Sequence, residues 1–360
     1  MSRVADQSLS WYRLFCVKGL GPKRLHLIHK ALAEYGISAD DLLLLDRDRF
    51  QRLLPGLGGS VFEAIHNLNY EQVTEDYHRL TEKGIKVIHL GHEDYPELIV
   101  ERMHDSAPPV LFTRGYVRLL RSEGVAIVGS RHASAEGLAL AARVAEELAA
   151  QGLNVVSGYA KGIDTEAHLG ALRRDGTTTI VLSSGILEFS RKRTDAELDW
   201  ERSALVVSQF HLAERWSARN AMTRNKLVCA LSQAVVVIGA GEERDAEGRM
   251  SGTFDAGKTA LPMKVPLFVV DPGTFTTPPA GNAKLIERGG VSVTPANAVA
   301  EIVRRFRGEV VSPRDHTEAP RKQQSFIILR GQEHASPQKP LAATSAPRRR
   351  SRCRPGCAAP

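Results

Sequence analysis

Aromatic residues make up only 6% of this 360-residue chain, too few for a surface that binds mainly by ranks of stacked rings. Cysteine is scarcer still. The four, Cys16, Cys229, Cys353 and Cys357, lie far apart except for the last two, which excludes a disulfide scaffold and suits a reducing compartment. No second pair or nearby histidine completes a metal site around Cys353 and Cys357, so no metal is expected. No stretch approaches the roughly 18 uninterrupted apolar residues of a membrane span, and no basic-then-apolar leader opens the chain. The expected location is cytoplasmic, without a membrane partner. The chain also lacks G-x-G-x-x-G and G-x-x-x-x-G-K-[ST], so neither a hydride cofactor nor a nucleoside triphosphatase is indicated; no cofactor is expected.

Negative charge is short in one place. The formal charge is +7, but residues 321–360 hold nine Lys/Arg against one Glu, a net +8 that leaves residues 1–320 at −1. Any anion-binding groove in the body must therefore be a local patch, not a property of bulk charge. From residue 311 onward, seven prolines and little apolar periodicity predict a disordered tail, because too little surface can be buried to offset the entropy of ordering. Its cluster Arg348-Arg349-Arg350-Ser351-Arg352 is expected to attract polyanions without sequence preference.

What the chain does have is concentrated in residues 124–172. Val125–Val128 is a short β-branched run ending at Gly129, the pattern of a buried parallel strand feeding a tight turn. The turn carries Ser130 and Arg131. Apolar residues at helical spacing follow from Gly137 to Ala150, then Gly152 where a helix C-cap glycine belongs. A second strand, Leu153–Val156, meets the turn Ser157-Gly158-Tyr159-Ala160-Lys161-Gly162, and a new helix begins near Asp164, read as its N-cap. Both turns fall at the carboxyl ends of parallel strands, where doubly wound sheets bind ligands. Each combines glycine, a polar donor and one cation at a helix start, which suits phosphate.

Further short apolar runs at Thr178–Leu182, Ala204–Ser208, Ala234–Ile238 and Pro266–Val270, separated by helical stretches, extend the parallel α/β pattern. Upstream, Ile85–Leu90 and Val110–Phe112 read as strands in a linking segment. Residues 9–68 read as all-helical, with Gly19-Leu20-Gly21-Pro22 and Pro55-Gly56-Leu57-Gly58 forming two helix-hairpin-helix turns whose amides can meet a DNA phosphate. The expected division is 1–70 helical, helix-hairpin-helix or SAM-like; 71–310 Rossmann-like, mostly parallel; and 311–360 tail.

Arg131 and Lys161 occupy equivalent places in the two turns. Arg224-Asn225-Lys226 reads as the start of an apolar helix, where two cations oppose the macrodipole unless an anion is bound. Asp164 and His168 are spaced i, i+4 and could form an acid–base couple; the N-cap and a packing histidine account for them more simply, so no catalytic residue is expected.

These strings resemble the DNA-processing protein A family (DprA, also called Smf). The resemblance rests on Val128-Gly129-Ser130-Arg131 with Gly137; on Ser157-Gly158-x-Ala160-x-Gly162-Ile163-Asp164-x-x-Ala167-His168; on Arg224-Asn225-Lys226 before Leu231-Ser232; and on Ser251-Gly252-Thr253 and Gly281-Asn282. It implies a Rossmann-like, non-enzymatic binder of single-stranded DNA that helps load a RecA-like recombinase, acts in transformation or recombination and forms a homodimer. The phosphate-binding set it implies is Gly129, Ser130, Arg131, Ser157, Gly158, Lys161, Gly162, Arg224, Asn225, Lys226, Ser251, Gly252 and Thr253.

Departures from the pattern are Ser183 to Ser190 after the Thr178 strand, Gln209, Lys226, and an insertion at Gly241–Arg249. They keep a nucleotide-sensing module open as an alternative. A nucleotide hydrolase of related fold is disfavoured, because Ala256 stands where such enzymes, to which the chain is similar in fold, carry an essential glutamate after Gly-Thr.

Overall fold

In a computed structural model describing residues 6–190 and 200–306, the Val125–Val128 run lies near the middle of a nine-stranded sheet. The strands are β1 (Ile85–His89), β2 (Val110–Gly115), β3 (Gly124–Val128), β4 (Asn154–Ser157), β5 (Thr178–Val181), β6 (Ala204–Ser208), β7 (Ala234–Val237), β8 (Leu267–Val270) and β9 (Val291–Val293). Their order across the sheet is β1-β2-β6-β5-β4-β3-β7-β8-β9. The β1–β2 and β2–β6 pairs are antiparallel and the others parallel. Chain order runs outward from β3 in both directions, so the loops leaving β3 and β7 diverge and open a crevice between them.

Helices follow in chain order: α1 (Ser8–Cys16), α2 (Pro22–Tyr35), α3 (Ala39–Leu43), α4 (Arg47–Leu53), α5 (Gly58–His66), α6 (Tyr70–Glu82) and α7 (Glu97–Met103), then α8 (Ala135–Ala150), α9 (Ile163–Arg173), α10 (Trp200–Ser203), α11 (Ala218–Ala230), α12 (Gly252–Ala260), α13 (Ala280–Glu287) and α14 (Ala298–Phe306). None among the described residues is long and apolar enough to cross a membrane.

Alternation along each strand decides which helices it meets, because successive side chains point to opposite faces. Ala126 and Val128 of β3, with Val235 and Val237 of β7, pack in one core with Leu227 and Val228 of α11 and Phe254 of α12. Val125, Ile127, Val155 and Val236 belong to the opposite core with Leu140, Val144 and Leu148 of α8 and Ala167 of α9. Toward β1, a third core joins Trp11, Leu14, Ile28 and Ile65 of the N-terminal helices to Val87, Phe112, Ile180 and Val206 of the sheet. Residues 6–306 belong to one compact unit. The tail from residue 311, with Arg348–Arg352 and the Cys353/Cys357 pair, lies outside the described residues.

Two sequence expectations need correction. Asp164 is not an N-cap: α9 starts at Ile163 with Gly162 before it, placing Asp164 one residue inside the helix. Arg224 does not start its helix either. The polar stretch from Ala218 is already helical because the Ser217 side chain accepts a hydrogen bond from the Asn220 amide, a good N-terminal cap. The macrodipole argument for Arg224 and Lys226 therefore falls, and Arg224 owes its position to burial instead. The strand β9, whose three residues are too few for a periodic signal, was not anticipated, nor was the nine-residue helix α14, although its apolar residues recur at helical spacing.

Candidate nucleic-acid interface

The carboxyl ends of five adjacent parallel strands surround a cleft of about 530 Å3. Gly129, Ser130 and Arg131 reach it from the turn after β3, Lys161 and Asp164 from the turn and helix start after β4, and Ser183 from the end of β5. Arg224 and Asn225 come from α11, after β6, while Ser251, Gly252 and Thr253 come from the start of α12, after β7. Nine of the thirteen residues implied by sequence thus line one cavity, although they span Gly129 to Thr253 in the chain.

The other four stand apart for separate reasons. Ser157 is fully buried and donates its hydroxyl to the Ile127 carbonyl at 2.6 Å, bracing β4 against β3. Gly158 lies beneath Arg224: a Cβ there would come 1.8 Å from Nη1 of that side chain. Gly162 has φ +92°, and a Cβ would sit 2.7 Å from the Ser130 carbonyl oxygen, so glycine is required where the two turns touch. Lys226 is exposed and does not line the cleft. Two residues along an α-helix is about 200° of rotation, so Arg224 and Lys226 face opposite ways.

Arg224 is the buried cation of the site, 7% exposed, and Nη1 lies 3.8 Å from Asp164 Oδ2. Its Nε is buried and meets no acceptor among the described residues. Burial pushes the Asp164 carboxyl above its ordinary range, against the pull of Arg224 and of the Ala160 amide. Burial likewise pushes Arg224 below its ordinary value, with Asp164 opposing. Desolvating a charge pair this loosely joined is expensive, and an anion entering the cleft would add the missing attraction.

Arg131 and Lys161 are exposed, and neither belongs to an ion pair among the described residues. Cations on the neighbouring insertion and helices behave differently: Arg249 pairs with Asp245 and Glu247, Lys258 and Arg288 share Glu243, and Lys284 meets Glu242. Those bonds hold Glu243 well below the ordinary carboxylate range, at about 2, through Arg288 and Lys258. Positive charge is left uncompensated where the strand ends converge.

Asn225 is structural. Its Nδ2 donates to the Gly252 carbonyl at 2.9 Å and to Asp255 at 3.0 Å, tying α11 to the start of α12. The Ser251 side chain caps α12 by accepting from the Phe254 amide, leaving the first amides of that helix as donors toward the cleft. His168 is 3% exposed, with its ring nitrogens 2.6 Å from Thr178 Oγ1 and 2.5 Å from the Gly158 carbonyl. It fastens the second turn to β5, as a packing histidine would.

Sequence reasoning missed Trp216 and His132, which also line the cleft. Trp216 precedes the α11 cap in an otherwise polar stretch, so no periodicity pointed to it. Asp164 was noticed for the wrong partner: its carboxylate serves Arg224.

A doubly wound sheet with a cation-lined cleft at its switch point defines a Rossmann-like module of the kind that meets phosphate groups. Comparison with known proteins narrows this class. The chain belongs to the DNA recombination-mediator protein A family, whose pattern matches residues 86–304. It is 30% identical to Protein Smf of Synechocystis over 265 residues, which cover 70% of this chain and 64% of that relative. It is 27% identical over 290 residues to the DNA processing protein DprA of Streptococcus pneumoniae, covering 80% of this chain and 96% of that one. The X-ray structure of DNA processing protein A from Streptococcus pneumoniae superposes with a TM-score of 0.59 at 27% identity, over 82% of this chain and 97% of that chain. A Helicobacter pylori DNA processing protein A, described by its single-stranded DNA binding mode, shares the fold with a TM-score of 0.51 at 23% identity, over 61% of this chain and 96% of that chain.

Proposed function

We propose that this protein binds single-stranded DNA by its phosphates, without strong sequence preference, and acts in DNA processing as a mediator that helps a RecA-like recombinase load. The observation carrying this reading is that Arg131, Lys161 and Arg224, from three separate connections, converge on one cleft beside the start of α12. Cations and backbone amides directed at phosphate carry no base information, so binding is sequence-tolerant. Relatives named for DNA processing, and a fold neighbour described by its single-stranded DNA binding, support the assignment. Homodimerisation and the recombinase partner rest on family membership. So does the non-enzymatic assignment; the one carboxylate lining the cleft among the described residues, Asp164, is engaged with Arg224.

The cleft's volume of about 530 Å3 also falls within the roughly 300–1,000 Å3 of small-molecule sites, which favours free-nucleotide sensing as a second reading. Fluorescence anisotropy with oligonucleotides of increasing length, beside calorimetry with free nucleotides, separates the two. Affinity rising over several nucleotides supports the DNA binder. Tight binding of one nucleotide, indifferent to oligonucleotide length, would replace it with the sensor.

A further inference from the structure

Trp216 lines the cleft and is 54% exposed. The backbone around it is pinned: the Ser217 hydroxyl accepts from the Asn220 amide at 3.1 Å, and Asn220 Nδ2 donates to Glu214 at 2.7 Å. The Gly185 amide in turn donates to the Glu214 carbonyl at 2.7 Å. A large indole held in water on a fixed backbone forgoes the stabilisation that burial would bring. Its neighbour is informative: the Arg131 guanidinium carbon lies 5.4 Å from the ring centroid. A π-surface and a phosphate-seeking cation therefore stand side by side at the same cleft, matching the alternation of base and phosphate along a single strand.

We propose that Trp216 is a nucleobase-stacking subsite, taking a base next to the phosphate held by Arg131. The inference rests on the proposed DNA-binding function and adds to it a contact with the bases themselves. Stacking tolerates any sequence because every base has a π-face, so the subsite adds affinity without a code. Arg131 serves both parts: it lies over the ring by cation–π attraction and keeps its outer hydrogens for phosphate.

The test uses the full chain with an oligothymidylate and an otherwise identical fully abasic strand, read by fluorescence anisotropy. Trp216→Ala is expected to weaken binding of the intact strand by about 5- to 150-fold, the range for loss of one stacked base, and to leave the abasic strand within about twofold. Trp216→Phe should retain most of the affinity, and quenching of tryptophan emission on binding should shrink in that variant. Equal losses on intact and abasic strands would overturn the proposal, leaving Trp216 as a prop for Arg131. A loss with Arg131→Ala and none with Trp216→Ala would overturn the subsite alone. If neither substitution changes binding, the DNA-binding reading of the cleft fails with it. Because the side chain is largely exposed, the variants should unfold at the wild-type temperature, which thermal melting checks.

Discussion

Arg224 and Asp164 meet 3.8 Å apart beneath the cleft, each more than nine-tenths buried. Removing one partner leaves the other charge stranded, so Asp164→Asn is expected to destabilise the fold by about 3–5 kcal/mol in urea unfolding. An apolar double replacement, Asp164→Leu with Arg224→Met, should recover much of that loss, since well-packed apolar residues often substitute for a buried pair. It should not recover DNA binding. A double variant that binds like wild type would show that Arg224 serves the fold alone.

Arg131 and Lys161 should behave in the opposite way. Both are exposed cations outside any ion pair among the described residues, so alanine at either should leave the melting temperature unchanged. Each should weaken oligonucleotide binding by about 1–3 kcal/mol, the range for charge-assisted hydrogen bonds. Lys226→Ala is the control. Facing away from the cleft, it should change affinity by less than about twofold, within the small effect of a lone surface charge, and a larger loss would redraw the binding surface.

Gly158→Ala tests the contact that places Arg224. The added methyl would fall 1.8 Å from Nη1, so the guanidinium must leave its seat over the second turn. Anisotropy and chemical unfolding should both report a loss, unlike the Arg131 variant, which should lose binding only. Unchanged values in both measurements would mean that Arg224 has another place to go.

His168→Gln should lower stability by about 1–3 kcal/mol, the cost of leaving buried partners unsatisfied, because Thr178 and the Gly158 carbonyl both lie on its ring nitrogens. DNA affinity measured well below the melting temperature should be retained. Any nucleotide hydrolysis lost by this variant at unchanged stability would revive an enzymatic role.

Acid sensitivity should centre on His89. Burial pushes its imidazole down to about 4, and its ring stacks on Trp11 at 5.2 Å and 9°. A histidine whose folded value lies below its unfolded one contributes fully above about pH 6.5, and that contribution fades as pH falls through about 4. At 1.36 kcal/mol per unit the loss is about 3 kcal/mol. Urea titrations between pH 7 and 4 should therefore show a shallower decline for His89→Gln than for wild type; parallel declines would place the acid-sensitive group elsewhere.

Much of this architecture was legible because strands and glycine turns are written locally. The β-branched runs at Val125–Val128, Ala204–Ser208 and Ala234–Ile238 match β3, β6 and β7 to within one residue at either end, since a fully buried parallel strand must be apolar on both faces. The turn at Ser157–Gly162 could also be assigned in advance, because Gly162 permits a positive φ that other residues resist. Residues 129–131 and 161 were placed at the cleft by the rule that connections leave a parallel sheet at its carboxyl edge.

The environment of each charge was not written locally. Arg224 and Lys226 look equivalent in sequence, yet helix rotation set by the Ser217 cap turns one into the protein and the other into solvent. The pairing of Arg224 with Asp164, 60 residues earlier in the chain, exists only because strand order brings the start of α9 against the middle of α11. Trp216 carried no periodic signal at all. A side chain's burial and partners depend on elements distant in sequence, so they follow from packing, whereas the strands and turns themselves follow from the backbone preferences of their own residues.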